Sequence, residues 1–378
     1  MLINNWYVAA ASHEVTPKKP FGARMLCCDF VLFRDEKGKA ICLSGVCCHR
    51  GAILSGGEMN NHNVVCPYHG WEFNHAGNCT LIPSLGPETT VPKRVRVDSY
   101  PTQEKYGWVW VFLGDLAENE RPKIPDLFPE YDDNEAWHRI PYGFEAKANW
   151  MRFEENSLDT AHTQFVHRVF GSKRTPKLEH VPLEHKEWGA RVSRTKPAPK
   201  PDQKYGKMAE LLAVERRTTN VTLEFSLVGL CHRIQPTFKE GMSQINFTAR
   251  TPIDQKRSRA IGWQARNYLK EPENDAERMA GILLAVEEDL SVVETVVPAI
   301  TPPSLTDEFL IETDSMEVAF RKTCWKWANK GWEIDMDKFE QQSKSNVLVI
   351  PSPERRSDPK NWVHKTVPLK PAGSRPVE

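Results

Sequence analysis

The chain has 378 residues, with 50 Lys and Arg against 50 Asp and Glu, and is 40% hydrophobic and 26% charged, the make-up of an ordinary globular protein with room for two domains. A formal net charge of zero gives no electrostatic reason to hold DNA, RNA or an anionic bilayer, which normally rests on an excess of Lys and Arg. Nucleic acid and membrane are therefore set aside as partners. The opening MLINNWYVAAASHEV has no basic n-region, its apolar run is too short for a signal, and no later stretch approaches the ~20 apolar residues of a span, so a cytoplasmic protein is expected. Nine cysteines, an odd count without even spacing, do not form a secreted disulfide framework; most are expected to be buried free thiols.

In chain order, residues 1–120 read as a small antiparallel β domain. Predicted strands cover 25–33 (MLCCDFVLF), 40–43, 63–66, 70–74, 79–82, 94–97 and 107–113, rich in β-branched and aromatic residues, with DEKGK, GGEMNNHN and NHAGN as turns between them. The charged, Pro-containing stretch 119–129 (NERPKIPDLFP) marks a boundary, and 121–350 forms a second domain. It begins with a helix at 150–167 and continues through a Pro-rich loop at 196–207 (KPAPKPDQKYGK), a plain surface loop or a lid. Strands follow at 220–228, 244–250 and 260–267. The first alternates Val221, Leu223, Phe225 and Leu227 with polar residues, the period of a half-buried strand. A long helix covers 275–296. The tail 351–378 carries six prolines and many charges, and is expected to be poorly structured or strapped over the surface. The order gives an α+β fold, an all-β domain followed by a sheet flanked by helices.

Residues 45–71 read GVCCHRGAILSGGEMNNHNVVCPYHGW. Cys47 and His49 are separated by one residue, Cys66 and His69 by two. Two thiolates and two imidazoles on neighbouring loops can close a tetrahedral zinc site or hold a [2Fe–2S] cluster with both cysteines on one iron and both histidines on the other. Cys2His2 zinc fingers group like with like, whereas each pair here mixes one of each, so each loop can offer one ligand to each iron. C-x-H, sixteen residues, then C-P-x-H-G-W resembles the Rieske [2Fe–2S] motif. By that resemblance Cys47, His49, Cys66 and His69 are the cluster ligands and Cys48 is not. His62 and His75 fall on turns and are read as surface residues.

Residues 149–170 read NWMRFEENSLDTAHTQFVHRVF. Asn156, Asp159 and His162 recur at steps of three, one stripe of a helix. His167 lies five after His162, about 140° further round, so the two rings meet at one metal only if the helix ends or bulges between them. With a carboxylate they would make the 2-His-1-carboxylate face that leaves positions open on Fe(II). The stripe N-x2-D-x2-H-x4-H resembles the mononuclear iron motif of Rieske non-haem iron oxygenases and follows the Rieske motif in the family's order. The resemblance implies that His162 and His167 are iron ligands and that Asp159 bridges to the Rieske histidine of a neighbouring subunit. Asn156 is read as near the iron, against substrate, or as satisfying backbone.

The third ligand must come from elsewhere. On the long helix, Ile282, Val286, Leu290, Val293 and Val297 define an apolar face; Asp289 and Glu287 lie toward its edges, and Glu288 points almost opposite, as a solvated residue would. The family places an aspartate on such a late helix, which selects Asp289, with Glu287 as the alternative.

The resemblance extends to about residue 350 and looks closest to oxygenases with only α subunits, including O-demethylases of methoxylated aromatics. It implies a terminal oxygenase using O2 and electrons that start at NAD(P)H and arrive through a reductase, with or without a ferredoxin. No G-x-G-x-x-G fingerprint occurs, so the reductase is expected to be a separate polypeptide. It also implies a head-to-tail homotrimer in which electrons cross between subunits. The expected reaction is hydroxylation or oxidative demethylation of a small apolar or aromatic molecule, with Phe153, Phe165, Phe225, Phe247 and Trp263 as candidate substrate contacts or ordinary core. The competing readings are a Rieske electron carrier, which leaves the second constellation unused, and a zinc-stabilised binding protein.

Overall fold

The structure is a computed structural model and describes residues 1–168, 171, 173, 176–197, 207, 211 and 218–376. Two compact units emerge.

The first unit comprises Met1–Ile124, Thr251–Asp254 and Trp327–Arg375. Strand β1 (Asn5–Ala11) is almost wholly buried; lacking alternation, NWYVAAA gives no strand signal of period two. The next strands are β2 (Phe21–Met25), β3 (Cys28–Arg34) and β4 (Ala40–Ser44). The single strand expected at 25–33 is therefore a hairpin. Leu26 and Cys27 take φ of 50° and 65° between the paired Met25 and Cys28, the two left-handed residues that a tight hairpin turn needs. Short strands β5 (Glu58–Asn60), β6 (Asn63–Val65), β7 (Glu72–Phe73) and β8 (Cys79–Leu81) form a four-stranded sheet in sequence order. Residues 94–97, expected as a strand, make only an isolated bridge between Asn78 and Arg96. Strand β9 (Ser99–Tyr100) completes the sheet β2-β3-β4-β9, and β10 (Thr102–Lys105) and β11 (Trp108–Leu113) pair with β1 in the order β1-β11-β10.

Of the two expectations for the tail, poorly structured or strapped over the surface, the first does not hold: residues up to Arg375 are part of this unit. Trp362 and Val367 are buried. Trp362 stacks between the guanidinium groups of Arg96 and Arg355, 3.7 and 4.3 Å from its ring centroid, and Arg355 pairs with the buried carboxylate of Asp98. Proline density marked the segment as irregular, but two buried apolar side chains at about 1.5–3 kcal/mol each hold it down.

The second unit comprises Pro125–Arg250 and Gln255–Lys326. Its sheet is built from β12 (His138–Ala146), β13 (Glu184–Lys186), β14 (Gly189–Pro197), β15 (Thr218–Ser226), β16 (Cys231–Lys239), β17 (Met242–Pro252) and β18 (Ser258–Arg266), in the order β12-β18-β17-β16-β15-β14-β13. Helix α1 (Trp150–Leu158) is capped by Asn149, whose side chain accepts the Met151 N–H. A four-residue helix α2 (Thr163–Val166) follows, then α3 (Asp275–Val293) and α4 (Ser315–Trp327). Phe153 of α1 packs with Ala146, Ala148 and Val293, joining α1, β12 and α3. The segment 198–206 of the candidate lid lies outside the described residues.

Candidate metal centres and cavity

In the first unit the two Cys–His loops share one backbone plan. Cys47 N–H donates to Ala52 and its carbonyl accepts Gly51 N–H; Cys66 N–H donates to Trp71 and its carbonyl accepts Gly70 N–H. Gly51 and Gly70 sit at φ of 75° and 69°, a left-handed turn that a side chain rarely tolerates. Both cysteines are buried among Val31, Leu43, Leu54, Val64 and Phe73, whereas His49 and His69 are exposed. The imidazoles lie together, ring centroids 4.6 Å apart, with His49 stacked flat on Trp71 at 4.3 Å. The Cys48 thiol donates to Cys47 and, against burial, pulls it down to about 6, aided by the His49 and Arg50 N–H groups. Cys48 itself is pushed up by that contact and by burial, the behaviour of a hydrogen-bond donor to a thiolate. Burial raises the Cys66 thiol, while the N–H groups of Tyr68 and His69 point at its sulfur. Two inward sulfurs served by N–H donors and two outward imidazoles fit a [2Fe–2S] cluster with mixed ligation.

In the second unit the helix expected at 150–167 breaks after Leu158. Asp159 turns extended (φ −71°, ψ 128°), and its carboxylate accepts the N–H groups of Ala161 at 2.5 Å and His162 at 3.2 Å. This Asx-type turn lets His162 and His167 face each other, Nε2 to Nε2 at 3.3 Å. Asp289 Oδ1 of α3 stands 3.3 Å from His162 Nε2 and 3.4 Å from His167 Nε2. Three donors about 2.1 Å from a common ion stand about 3.0 Å apart at right angles and somewhat further at wider angles, so the set fits a single divalent cation. Burial opposes charge on His162, but Asp159 and Asp289 override it and raise the imidazole to about 9. Burial lowers His167.

Glu288 corrects the reading of the long helix. It is not solvated but 8% exposed, and its Oε2 lies 3.1 Å from His167 Nδ1 while Oε1 accepts the Arg168 N–H at 3.3 Å. Glu287 is exposed. The signal was present: Gly281, Leu284, Ala285, Glu288 and Asp289 share one helical stripe, and that stripe lines the cavity. Of the apolar residues used to define the buried face, Ile282, Val286 and Leu290 are half-buried, Val293 is buried and Val297, beyond the helix end, is 91% exposed, because α3 roofs a cavity rather than a closed core. Asp159 Oδ2 lies 3.3 Å from His162 Nδ1, and Asn156 Nδ2 donates to Asp289 at 3.5 Å.

The cavity, ≈ 570 Å³, is bounded by one face of the sheet, α1 and α3. Phe153, Asn156, Asp159, His162, His167 and Asp289 line it. The other candidate aromatics do not. Phe247 falls between the lining residues Asn246 and Thr248 and packs on Phe128 at 5.4 Å; Trp263 precedes the lining Gln264 and meets Tyr131 at 5.7 Å. Strand alternation sends both to the opposite face. Phe225 is buried against Phe320, and Phe165 is 55% exposed on α2. A group the sequence did not reveal joins the lining to the layer behind it: Glu154, 1% exposed, takes Nδ1 of His232 and Nε of Arg250, both lining residues, each at 2.9 Å. Its members are distant in sequence, and only the strand pairing brings them together.

Residues 5–101 match the Rieske [2Fe–2S] domain family, and residues 146–330 match the vanillate O-demethylase oxygenase C-terminal domain family. The iron–sulfur subunit of the toluene-4-sulfonate monooxygenase system of Comamonas testosteroni is 34% identical over 48% of this chain and 51% of its own length. The oxygenase component of dicamba O-demethylase from Stenotrophomonas maltophilia is 33% identical over 44% and 48%. The match thus spans about half the length of these relatives. In fold, the chain resembles Pseudomonas putida NdmA with caffeine (TM-score 0.71, 21% identity, 89% of this chain and 91% of that one). It likewise resembles dicamba monooxygenase bound to 3,6-dichlorosalicylic acid (TM-score 0.71, 23% identity, 91% and 99%).

Proposed function

Because this chain joins a Rieske [2Fe–2S] domain to a vanillate O-demethylase oxygenase domain, the make-up of Rieske oxygenase α subunits, we propose that it is a terminal oxygenase acting with O2 on a small organic molecule. The observation that carries the reading is the closure of His162, His167 and Asp289 on one point in the chain that also carries the Cys–His loops. An electron carrier has no use for that second site.

Cys47 and Cys66 would hold one iron of the cluster, His49 and His69 the other, and His162, His167 and Asp289 a mononuclear Fe(II). When bound, these groups supply single-electron storage and the O2 chemistry that hydroxylates or demethylates the substrate. The chain's own residues prepare the ground. Glu288 accepts the His167 Nδ1–H and so fixes the tautomer that leaves the Nε2 lone pair facing the site. Asp159 holds the backbone turn and the far side of His162. Phe153, Leu223, Ile234 and Leu284 give the cavity a partly apolar wall that limits water.

Electrons come from NAD(P)H through a separate reductase, with or without a ferredoxin. The subunits form a homotrimer in which electrons pass from His69 of one chain through Asp159 of the next to His162. Relatives named for toluene-4-sulfonate and dicamba favour an aromatic substrate. None of the nine cysteines forms a disulfide, which suits a cytoplasmic setting, and among the described residues no helix is long and apolar enough to cross a membrane.

The test is visible absorption and iron analysis of the purified chain, then O2 uptake with a surrogate reductase across a panel of methoxylated and methylated aromatics. A red-brown protein with about three irons per chain and substrate-dependent O2 uptake is expected. About two irons would indicate an electron carrier, and a colourless protein would end the case.

A further inference from the structure

Arg250 is 2% exposed, yet lines the cavity. Its Nε donates to Glu154 at 2.9 Å, its Nη2 donates to Ser157 Oγ at 2.9 Å, and its guanidinium carbon lies 3.5 Å from the centroid of the Phe153 ring. These contacts fix the plane of the group. The third nitrogen, Nη1, is buried and has no hydrogen-bond partner within the fold. On the neighbouring strand β18, Gln264 is 4% exposed, lines the same cavity, and leaves its Oε1 equally unmatched. Buried donors and acceptors are rarely left unpaired. Two on one wall of a cavity that also holds the candidate metal site mark the place where a ligand's polar atoms complete the set.

The charge balance defines the ligand. Glu154 already neutralises Arg250, and the same carboxylate takes His232. An added anion would share a guanidinium already committed to Glu154, in a cavity whose lining sets Asp159, Glu277, Glu288 and Asp289 against the further cations Lys196 and Arg278. A neutral oxygen with lone pairs faces no such repulsion and still gains a charge-assisted hydrogen bond. We propose that Arg250 Nη1 receives a carbonyl oxygen of the substrate, so that the natural substrate is a neutral, carbonyl-bearing aromatic or alicyclic molecule rather than a hydrocarbon or a carboxylate. The assignment of this cavity as the substrate site rests on the oxygenase reading; the recognition by Arg250 does not require turnover.

Calorimetric titration of the iron-loaded protein with three probes tests it. They are 4-methoxyacetophenone, 4-ethylanisole, which replaces the carbonyl by a methylene, and 4-methoxybenzoate. The ketone is expected to bind at least about tenfold more tightly than either of the others. Arg250→Lys keeps a cation beside Glu154 but removes the fixed donor, and should shrink the preference to within about twofold while the visible spectrum of the cluster is unchanged. Equal binding of ketone and ethylanisole, tighter binding of benzoate, survival of the preference in Arg250→Lys, or no binding of any probe overturns the proposal. Should Arg250→Lys not fold, the wild-type ranking decides alone. Because no O2 is consumed, a chain that ranks the probes as expected but does not turn over would sink the oxygenase reading and leave this one standing.

Discussion

Glu288 and Asp289 are adjacent on α3 and address the same histidine from opposite sides, Asp289 at Nε2 and Glu288 at Nδ1. Their replacement should therefore fail in different ways. Asp289→Ala removes a donor from the candidate site, and iron per chain should fall from about three to about two while the visible spectrum of the cluster is kept. Glu288→Ala leaves all three donors but frees the His167 ring, and should weaken iron binding by about 10–100-fold in chelator competition. Glu287→Ala, exposed on the same helix, should match the parent. Equal iron affinity in Glu288→Ala and Glu287→Ala would show that the His167 tautomer needs no carboxylate. Asp159→Asn should leave both metals bound and slow turnover severely; unchanged product formation would argue against electron passage through Asp159. At this scale the candidate donors on the Cys–His loops and the Asp159–His167 stretch could be picked out because their spacings survive in one dimension, whereas Asp289 came from the family resemblance. Glu288, Glu154, His232 and Arg250 could not be picked out, because their roles arise from strands and helices meeting in space.

Elements were legible where burial is one-sided. The alternation Val221, Leu223, Phe225 marks β15, and those three side chains are buried as the pattern requires. The same periodicity cannot say where a cavity ends and core begins, so Phe225 and Phe247 were candidates for the cavity and proved to be filling. Nor does it show a helix broken by a side chain's own hydrogen bonds, as at Asp159. Helix α4 was not predicted, and it carries an unusual acid. Glu317 is 8% exposed and its Oε2 has no partner. Burial, reinforced by the charges of Asp159, Asp314 and Glu155, pushes its carboxyl up to about 9. An unfolded glutamate releases its proton near 4.5, so between about pH 4.5 and 9 the folded chain binds the extra proton and stability falls as pH rises. Glu317→Gln removes that penalty. In urea unfolding it should match the parent at the acid end of this window and gain steadily toward the alkaline end. A gap that does not widen with pH would mean that Glu317 is ionised and paired in the folded protein.

For the whole molecule, the order of a β domain with Cys–His loops before an α+β domain with the His–His–Asp set was readable from motif order alone. The return of residues 327–375 to the first unit was not, since nothing local records which sheet a distant segment will join. The proposed passage of electrons between subunits has a consequence that no single chain can show. A chain with His69→Ala lacks a working cluster, and a chain with His162→Ala lacks a working iron site, so each alone should be inactive. If electrons stayed within one chain, mixing the two would restore nothing. In a head-to-tail trimer assembled at random from equal amounts, a site works when an iron-intact chain receives from a cluster-intact neighbour. Each choice has even odds, so co-expression should restore about a quarter of the parent rate. Sedimentation should report a particle three times the 43.2 kDa chain. Restoration that scales with the mixing ratio and peaks at equal amounts supports transfer across the subunit contact. A trimer with no restored turnover confines the electron to its own chain and removes Asp159 from the route between subunits.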